Sequence, residues 1–203
     1  MFISFEGPDG SGKTTQISLL NTYLKKKGWD VLTTREPGGT LIGEQVRAIL
    51  AENGNTSMRP RTELLLFQAS RAQLVDEVIL PHLARGGILL SDRYVDSTLA
   101  YQGFGHELDF EKLSPVIHFA TGGLKPNLTL FLDIDVEEGL RRRARGGEWD
   151  RLDAYNLDFH RRVYAGYLTL MQAEPQRWIR IDASRSVEQV QEAIRSMVDE
   201  RVA

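Results

Sequence analysis

Apolar positions along this chain switch repeatedly between two periods. Short unbroken runs, such as Phe2-Ile3-Ser4-Phe5, Gly87-Ile88-Leu89-Leu90 and Leu130-Phe131-Leu132, alternate with longer stretches of helical spacing, such as Ile17, Leu19, Leu20, Tyr23 and Leu24. The first pattern predicts strands buried on both faces, the second amphipathic helices. Strands are predicted over 2–6, 30–34, 87–91, 128–134 and 178–181, and helices near 14–27, 41–52, 61–85, 109–121, 136–145, 154–173 and 186–200. Strands separated by helices predict an α/β fold, a five-stranded parallel sheet with helices on both faces. No repeat, low-complexity tract or linker interrupts the pattern, so one domain is expected over 1–203. Within it, Gly146-Gly147 breaks a helix between charged flanks and reads as a lid over 141–153.

Composition narrows the picture a little. A chain of 203 residues is long enough for one full core. The formal net charge of −3 supplies no global basic field, so no nucleic-acid partner is expected. Cysteine is absent, which removes disulfides and cysteine-ligated zinc and suits a reducing cytoplasm. The first residues read as a core strand, leaving no room for a signal peptide. No apolar run approaches the ~18 residues of a membrane span, so no membrane partner is expected. His82, His106, His118 and His160 are scattered and read as surface or helix-end residues.

The chemistry sits after the strands, where an open α/β sheet binds its ligands. The first strand runs into Gly7-Pro8-Asp9-Gly10-Ser11-Gly12-Lys13-Thr14, a G-x-x-x-x-G-K-[ST] phosphate-binding loop with strand and helix on the required sides. Glycines let backbone N–H groups converge on phosphate oxygens, and the helix N-terminus adds partial positive charge. Gly7, Asp9, Gly10, Ser11, Gly12, Lys13, Thr14 and Thr15 are therefore expected to hold a nucleotide, with Lys13 on the β- and γ-phosphates and the Thr14 hydroxyl on Mg²⁺. After the second strand, Arg35 in Thr34-Arg35-Glu36-Pro37-Gly38-Gly39-Thr40 can fork onto a phosphate. After the third, Asp92 is placed to hold Mg²⁺ and Arg93 is a second phosphate fork. No covalent nucleophile stands out. A phosphate loop, an acid and several arginines suit a kinase that moves phosphate onto another small anion.

These motifs, in order, give the chain a resemblance to the bacterial thymidylate kinases. They are Phe5-Glu6-Gly7-x-Asp9-Gly10-x-Gly12-Lys13-Thr14-Thr15, Arg35-Glu36-Pro37-Gly38-Gly39-Thr40, Leu66-Phe67-Gln68-Ala69-Ser70-Arg71, Asp92-Arg93-Tyr94, Tyr101-Gln102-Gly103, Pro126-x-Leu128-Thr129-Leu130-x-Leu132-Asp133, Asp150-Arg151-Leu152-Asp153 and Ile181-Asp182-Ala183. The resemblance implies a P-loop kinase of the nucleoside monophosphate type. It would phosphorylate dTMP to dTDP with ATP and Mg²⁺ by direct in-line transfer, on the way to dTTP, in the cytoplasm and as a homodimer. It implies that Arg35 and Arg93 grip the dTMP phosphate and Asp9 reaches the 3′-hydroxyl. Phe67 would stack on thymine, and Arg71 would donate to a thymine carbonyl. Tyr101 would sit against the sugar, Gln102 would meet the base, and Ala183 would lie where the ATP base packs. It also implies a cis peptide before Pro37.

By pattern alone some of these residues read two ways. Leu64, Leu65, Leu66, Phe67, Leu74, Val75, Val78 and Ile79 form an apolar stripe in which Phe67 is plain core. Phe67 and Arg71 are also four apart, an aromatic plate beside a fork donor. Tyr101 reads equally as packing or binding.

In some members of the family an arginine stands within the phosphate loop, where this chain has Gly10. The charge on the moving phosphoryl group is then expected to be met from the lid, by Arg151 first, then Arg145 and Arg143. The alternative is that these arginines only solvate a helix end. The chain departs from the family here: the lid arginines are shifted by about a residue and the last acid is Asp153. Three other readings fit less well. A kinase of another small acceptor need not carry Phe67, Arg71 and Tyr101. A guanine-nucleotide switch would want Asn-Lys-x-Asp, which is absent, and an inactive ATP-binding module would be expected to lose Lys13, Asp92 or the arginines.

Overall fold

The computed structural model describes residues 1–146 and 151–202. Its strands are β1 (Phe2–Glu6), β2 (Val31–Arg35), β3 (Ile88–Asp92), β4 (Leu128–Asp133) and β5 (Trp178–Asp182). They form one parallel sheet in the order β2-β3-β1-β4-β5. The architecture is the predicted one, with strand ends displaced by no more than a residue.

The unbroken apolar runs have the predicted cause. Along β1, Ile3 and Phe5 join Leu20 and Leu24 of α1 (Lys13–Lys26) and Ile194 and Val198 of α9 (Val187–Val202). Phe2 points the other way, into Leu74, Val75 and Ile79. All three β1 residues are completely buried, each contributing about 1.5–3 kcal/mol. The same alternation sends Ser4 and Glu6 to the Phe2 face, where both are fully buried but bonded. Ser4 meets Thr129 at 3.0 Å, and Glu6 accepts from the Tyr94 N–H at 2.8 Å.

The remaining helices are α2 (Leu41–Ala51), α3 (Pro60–Leu74), α4 (Leu80–Ala84), α5 (Val95–Thr98), α6 (Phe110–Thr121), α7 (Val136–Arg145) and α8 (Leu157–Ala173). Side-chain caps fix several starts. Thr40 accepts from Gly43 at 2.9 Å, Asp135 from Glu138 at 3.0 Å and Asn156 from Phe159 at 2.9 Å.

Three expectations are corrected. The helix predicted over 61–85 is α3, a π turn over Val75–Ile79, then α4. Pro81 has no N–H to return to Glu77, and its ring crowds that carbonyl, so the turn before it widens. A second π segment, Leu99–Gly105, follows α5 in a stretch whose pattern predicts nothing. The histidines are not uniformly at the surface: His82 and His160 are buried.

Register sets up the site. Asp92 of β3 lies opposite Phe5 of β1 and Arg35 of β2, so three strand ends open side by side. The Glu36–Pro37 peptide that follows β2 is cis. Among the described residues, no helix is long and apolar enough to cross a membrane.

Candidate active site

A cleft of about 1030 Å³ lies over these strand ends. The phosphate loop, the ends of β2 and β3, α3, the Leu99–Gly105 segment and α7 all contribute to its lining. Its volume lies at the upper end of the range for small-molecule sites.

The phosphate loop needs its glycines. Gly7 has φ 138°, and a Cβ there would stand 2.5 Å from the Leu132 carbonyl oxygen. Gly10, at φ 75°, admits the α7 backbone so closely that a Cβ would lie 2.0 Å from the Gly139 oxygen. Lys13 is buried, its ammonium donating to the Pro8 carbonyl at 2.9 Å, the Gly7 carbonyl at 3.1 Å and Ser11 Oγ at 3.3 Å. Burial, then the Arg93 charge, push its pKa down to about 8 against the pull of Asp92 and Asp9. The Thr14 hydroxyl donates to Asp92 Oδ2 at 2.8 Å. A hydroxyl and a carboxylate side by side at a phosphate loop are hard oxygen donors, which fit a Mg²⁺ ion that takes its other ligands from phosphate and water. Thr15 also lines the cleft.

Arg93 is the centre of a network of polar side chains at the cleft. It adopts φ 71°, a left-handed conformation rare outside glycine. Its guanidinium pairs with Asp9 and donates to Ser97 Oγ at 3.1 Å and to the Tyr101 and Tyr167 hydroxyls, both at 3.2 Å. Tyr101 in turn donates to Asp9 Oδ2 at 2.7 Å. Burial alone would raise the Asp9 pKa, but the Arg93 and Lys13 charges hold it well below the usual carboxylate range. Arg35 is half-exposed at the cleft and pairs with Glu44 at 2.7 Å.

Phe67 is only partly buried and lines the cleft, so it is not plain core. Arg71, 1% exposed, has every N–H engaged. Nε donates to Glu36 at 2.8 Å, and Nη2 reaches Glu36 and the Tyr94 carbonyl at 3.1 Å. Nη1 reaches Thr98 at 2.9 Å and Gln68 at 3.0 Å. Gln102 is buried at the cleft floor, with Nε2 donating to Glu63 at 2.9 Å.

The arginines of the expected lid separate. Arg143 reaches the cleft, its Nη2 paired with Asp153 at 2.7 Å. Arg142 bonds Glu138 at 2.9 Å and the carbonyl of buried Ala183 at 3.2 Å. Arg145 is exposed in the last turn of α7 and is not among the described residues that line the cleft. Arg151 is the first choice of the sequence for the transferring phosphoryl group, and the structure seats it elsewhere. It is 9% exposed and is not among the described residues that line the cleft. Its Nε donates to the Leu50 carbonyl at 2.8 Å, Nη1 to the Tyr155 hydroxyl at 3.0 Å and Nη2 to Glu63 at 2.7 Å. The cause is α2, whose last carbonyls lack helical partners and, with Glu63, capture a nearby cation. Residues 147–150 of the expected lid lie outside the described residues.

Glu6, Glu36 and Glu63 are functional candidates that the pattern passes over. Each is a buried acid against the site, and Glu6 is pushed up to about 8 by burial and then by Asp96. Glu63 carried no signal beyond an acid in a helix's first turn, and Glu36 only its place in Arg35-Glu36-Pro37.

The family model described as Thymidylate kinase matches residues 5–194. The thymidylate kinase of Roseiflexus sp. (strain RS-1) is 48% identical over 215 residues, covering 100% of this chain and 95% of its own. That of Exiguobacterium sp. (strain ATCC BAA-1283 / AT1b) is 46% identical over 202 residues, at 100% and 95% coverage. A crystal structure of thymidylate kinase from Ehrlichia chaffeensis superposes with a TM-score of 0.79 at 32% identity, covering 98% of each chain.

Proposed function

The chain belongs to the thymidylate kinase family, and from that premise we propose how its cleft phosphorylates dTMP to dTDP with ATP. The observation that carries the assignment of sites is one cleft with two phosphate grips, the loop with Lys13 on one side and Arg93 with Arg35 on the other. Facing grips bring donor γ-phosphate and acceptor phosphate into line, and in such a transfer positioning and charge neutralisation do most of the work.

The donor lies in Gly7–Thr15, with its base against Ala183 and Arg142. Lys13 then exchanges the loop carbonyls for β- and γ-phosphate oxygens. Mg²⁺, held by Thr14 and Asp92, would neutralise charge on those phosphates. On the acceptor side Arg93 and Arg35 hold the dTMP phosphate, Asp9 the 3′-hydroxyl, and Phe67 stacks on thymine. The Tyr101 ring stands where a 2′-hydroxyl would project. Arg71 meets the thymine carbonyl only by exchanging Gln68 or Thr98 for it, since all five of its donors are engaged. Gln102 meets the base from the cleft floor. Arg143 is the described lid arginine best set to take charge on the moving phosphoryl group, with Asp153 holding its guanidinium until phosphate competes for it.

The chain works as one domain in the cytoplasm and as a homodimer. Leu65 on α3 and Phe119 on α6 support the dimer, being 56% and 89% exposed on helices that pack together. Sedimentation at twice the 22.9 kDa chain mass is the expected result. The deciding experiment is a coupled assay for ADP release with a panel of monophosphates. dTMP should be preferred over dCMP by orders of magnitude, with dUMP weaker for want of the methyl group. Equal kcat/KM for dTMP and dCMP would reject the acceptor assignment.

A further inference from the structure

Glu63 is 1% exposed, and four groups from two separate segments of the chain donate to its carboxylate. Gln102 Nε2 and His106 Nε2 reach Oε1 at 2.9 and 3.0 Å. Arg151 Nη2 and the Tyr155 hydroxyl reach Oε2 at 2.7 and 2.6 Å. Burial alone would raise this acid, but the bonds from His106, Tyr155 and Gln102 hold it down to about 2, so it is ionised throughout the working range. An ionised carboxylate only accepts hydrogen bonds. Whichever group binds it must present N–H or O–H.

That settles the orientation of the Gln102 amide. Its nitrogen is committed to Glu63, and its other polar atom, the carbonyl Oε1, has no hydrogen-bond partner among the described residues of the cleft it lines. We infer that Glu63 is a positioning residue for base recognition: by fixing the Gln102 amide it presents a carbonyl acceptor to the acceptor base, and so selects pyrimidines that carry a hydrogen on N3. This rests on the reading of Gln102 as a base contact. Thymine and uracil have that hydrogen. Cytosine offers a bare N3 lone pair, and acceptor facing acceptor leaves both unpaired in a dry site. Arg151 then acts at one remove, balancing the Glu63 charge rather than touching phosphate.

The test replaces the ion pair as a unit, Glu63→Leu with Arg151→Leu, because removing both charges spares the fold more than removing one. The Gln102 amide is then free to turn. The ratio of kcat/KM for dTMP over dCMP should fall at least ~10-fold, mainly through KM. The ratio for dTMP over dUMP should stay within about twofold, since both carry N3–H. A residue that merely supports the fold would move both ratios together or neither. An unchanged dTMP/dCMP ratio in a folded variant, or a parallel fall in both ratios, overturns the inference. Should the double variant not fold, Glu63→Gln is measured instead, and there too unchanged selectivity against dCMP overturns it. Failure of the wild-type protein to phosphorylate dTMP would refute the acceptor assignment itself, a distinct outcome.

Discussion

Arg93 costs the fold something to keep. A left-handed backbone at a β-unbranched, non-glycine residue is strained by about 1–3 kcal/mol and persists only where its surroundings over-determine it. Here Asp9, Ser97, Tyr101 and Tyr167 do so, and the conformation turns the guanidinium into the cleft. Lys13 has the opposite character: its backbone is ordinary helix, but its charge is held in a buried place. Lys13→Ala should lower kcat by at least ~10²-fold, as deletion of a group that stabilises transition-state charge does. Single-turnover kinetics on the purified variant check this, and turnover at the wild-type rate would displace the site. The depressed pKa gives a second expectation. Lys13 must be charged to hold phosphates, so kcat/KM for ATP, which reports the free enzyme, should fall as pH rises through about 8. A profile flat to pH ~9.5 would mean the ammonium is not so destabilised.

At the scale of elements, α7 is where pattern and function meet. Arg142, Arg143 and Arg145 all sit in its last turn, where cations favour the helix dipole, so the plain reading of this arginine run is in part correct. Helical phase then sorts them, sending Arg143 over the cleft and leaving Arg145 in solvent. Arg143→Met should therefore reduce kcat by ~10²-fold or more with little change in Tm. Arg151→Met should do the reverse, lowering Tm more than kcat, because it leaves Glu63 with an uncompensated buried charge. Side-by-side calorimetry and steady-state assays decide, and equal kcat losses would restore Arg151 as a phosphate ligand. The Leu99–Gly105 π segment carries Tyr101 and Gln102, which both line the cleft. Such turns displace side chains by a fraction of a helical step and recur at functional sites.

Across the whole molecule, the Glu36–Arg71 pair ties the end of β2 to α3. Both residues are nearly inaccessible, at 3% and 1% of side-chain exposure. Breaking such a pair strands a charge and costs about 3–5 kcal/mol, whereas replacing both members is often tolerated. Glu36→Gln should thus lower Tm by about 10 °C. Glu36→Leu with Arg71→Leu should recover much of that loss while dTMP binding stays impaired. Differential scanning calorimetry and titration with dTMP separate the two effects. A double variant no more stable than the single would show that the pair is worth more than its charges.

The sequence by itself determined the sheet, the phosphate loop and the residues at the strand ends. Those features are local: a period of two or of 3.6, a glycine run whose backbone must turn, an arginine or aspartate directly after an apolar strand. Phe67, Arg71 and Tyr101 were legible only through their resemblance to a known family, because an apolar stripe looks the same whether it packs or binds. What the tertiary structure decided was pairing. Arg151 and Arg143 are equivalent letters in one arginine-rich stretch, yet one faces Glu63 and helix-end carbonyls and the other faces the cleft. Glu36 and Glu63 read as ordinary acids until folding brings to them donors 35 and 39 residues away in the chain. A charge buried with its partners takes its role from their geometry, and no local period encodes contacts made across the fold.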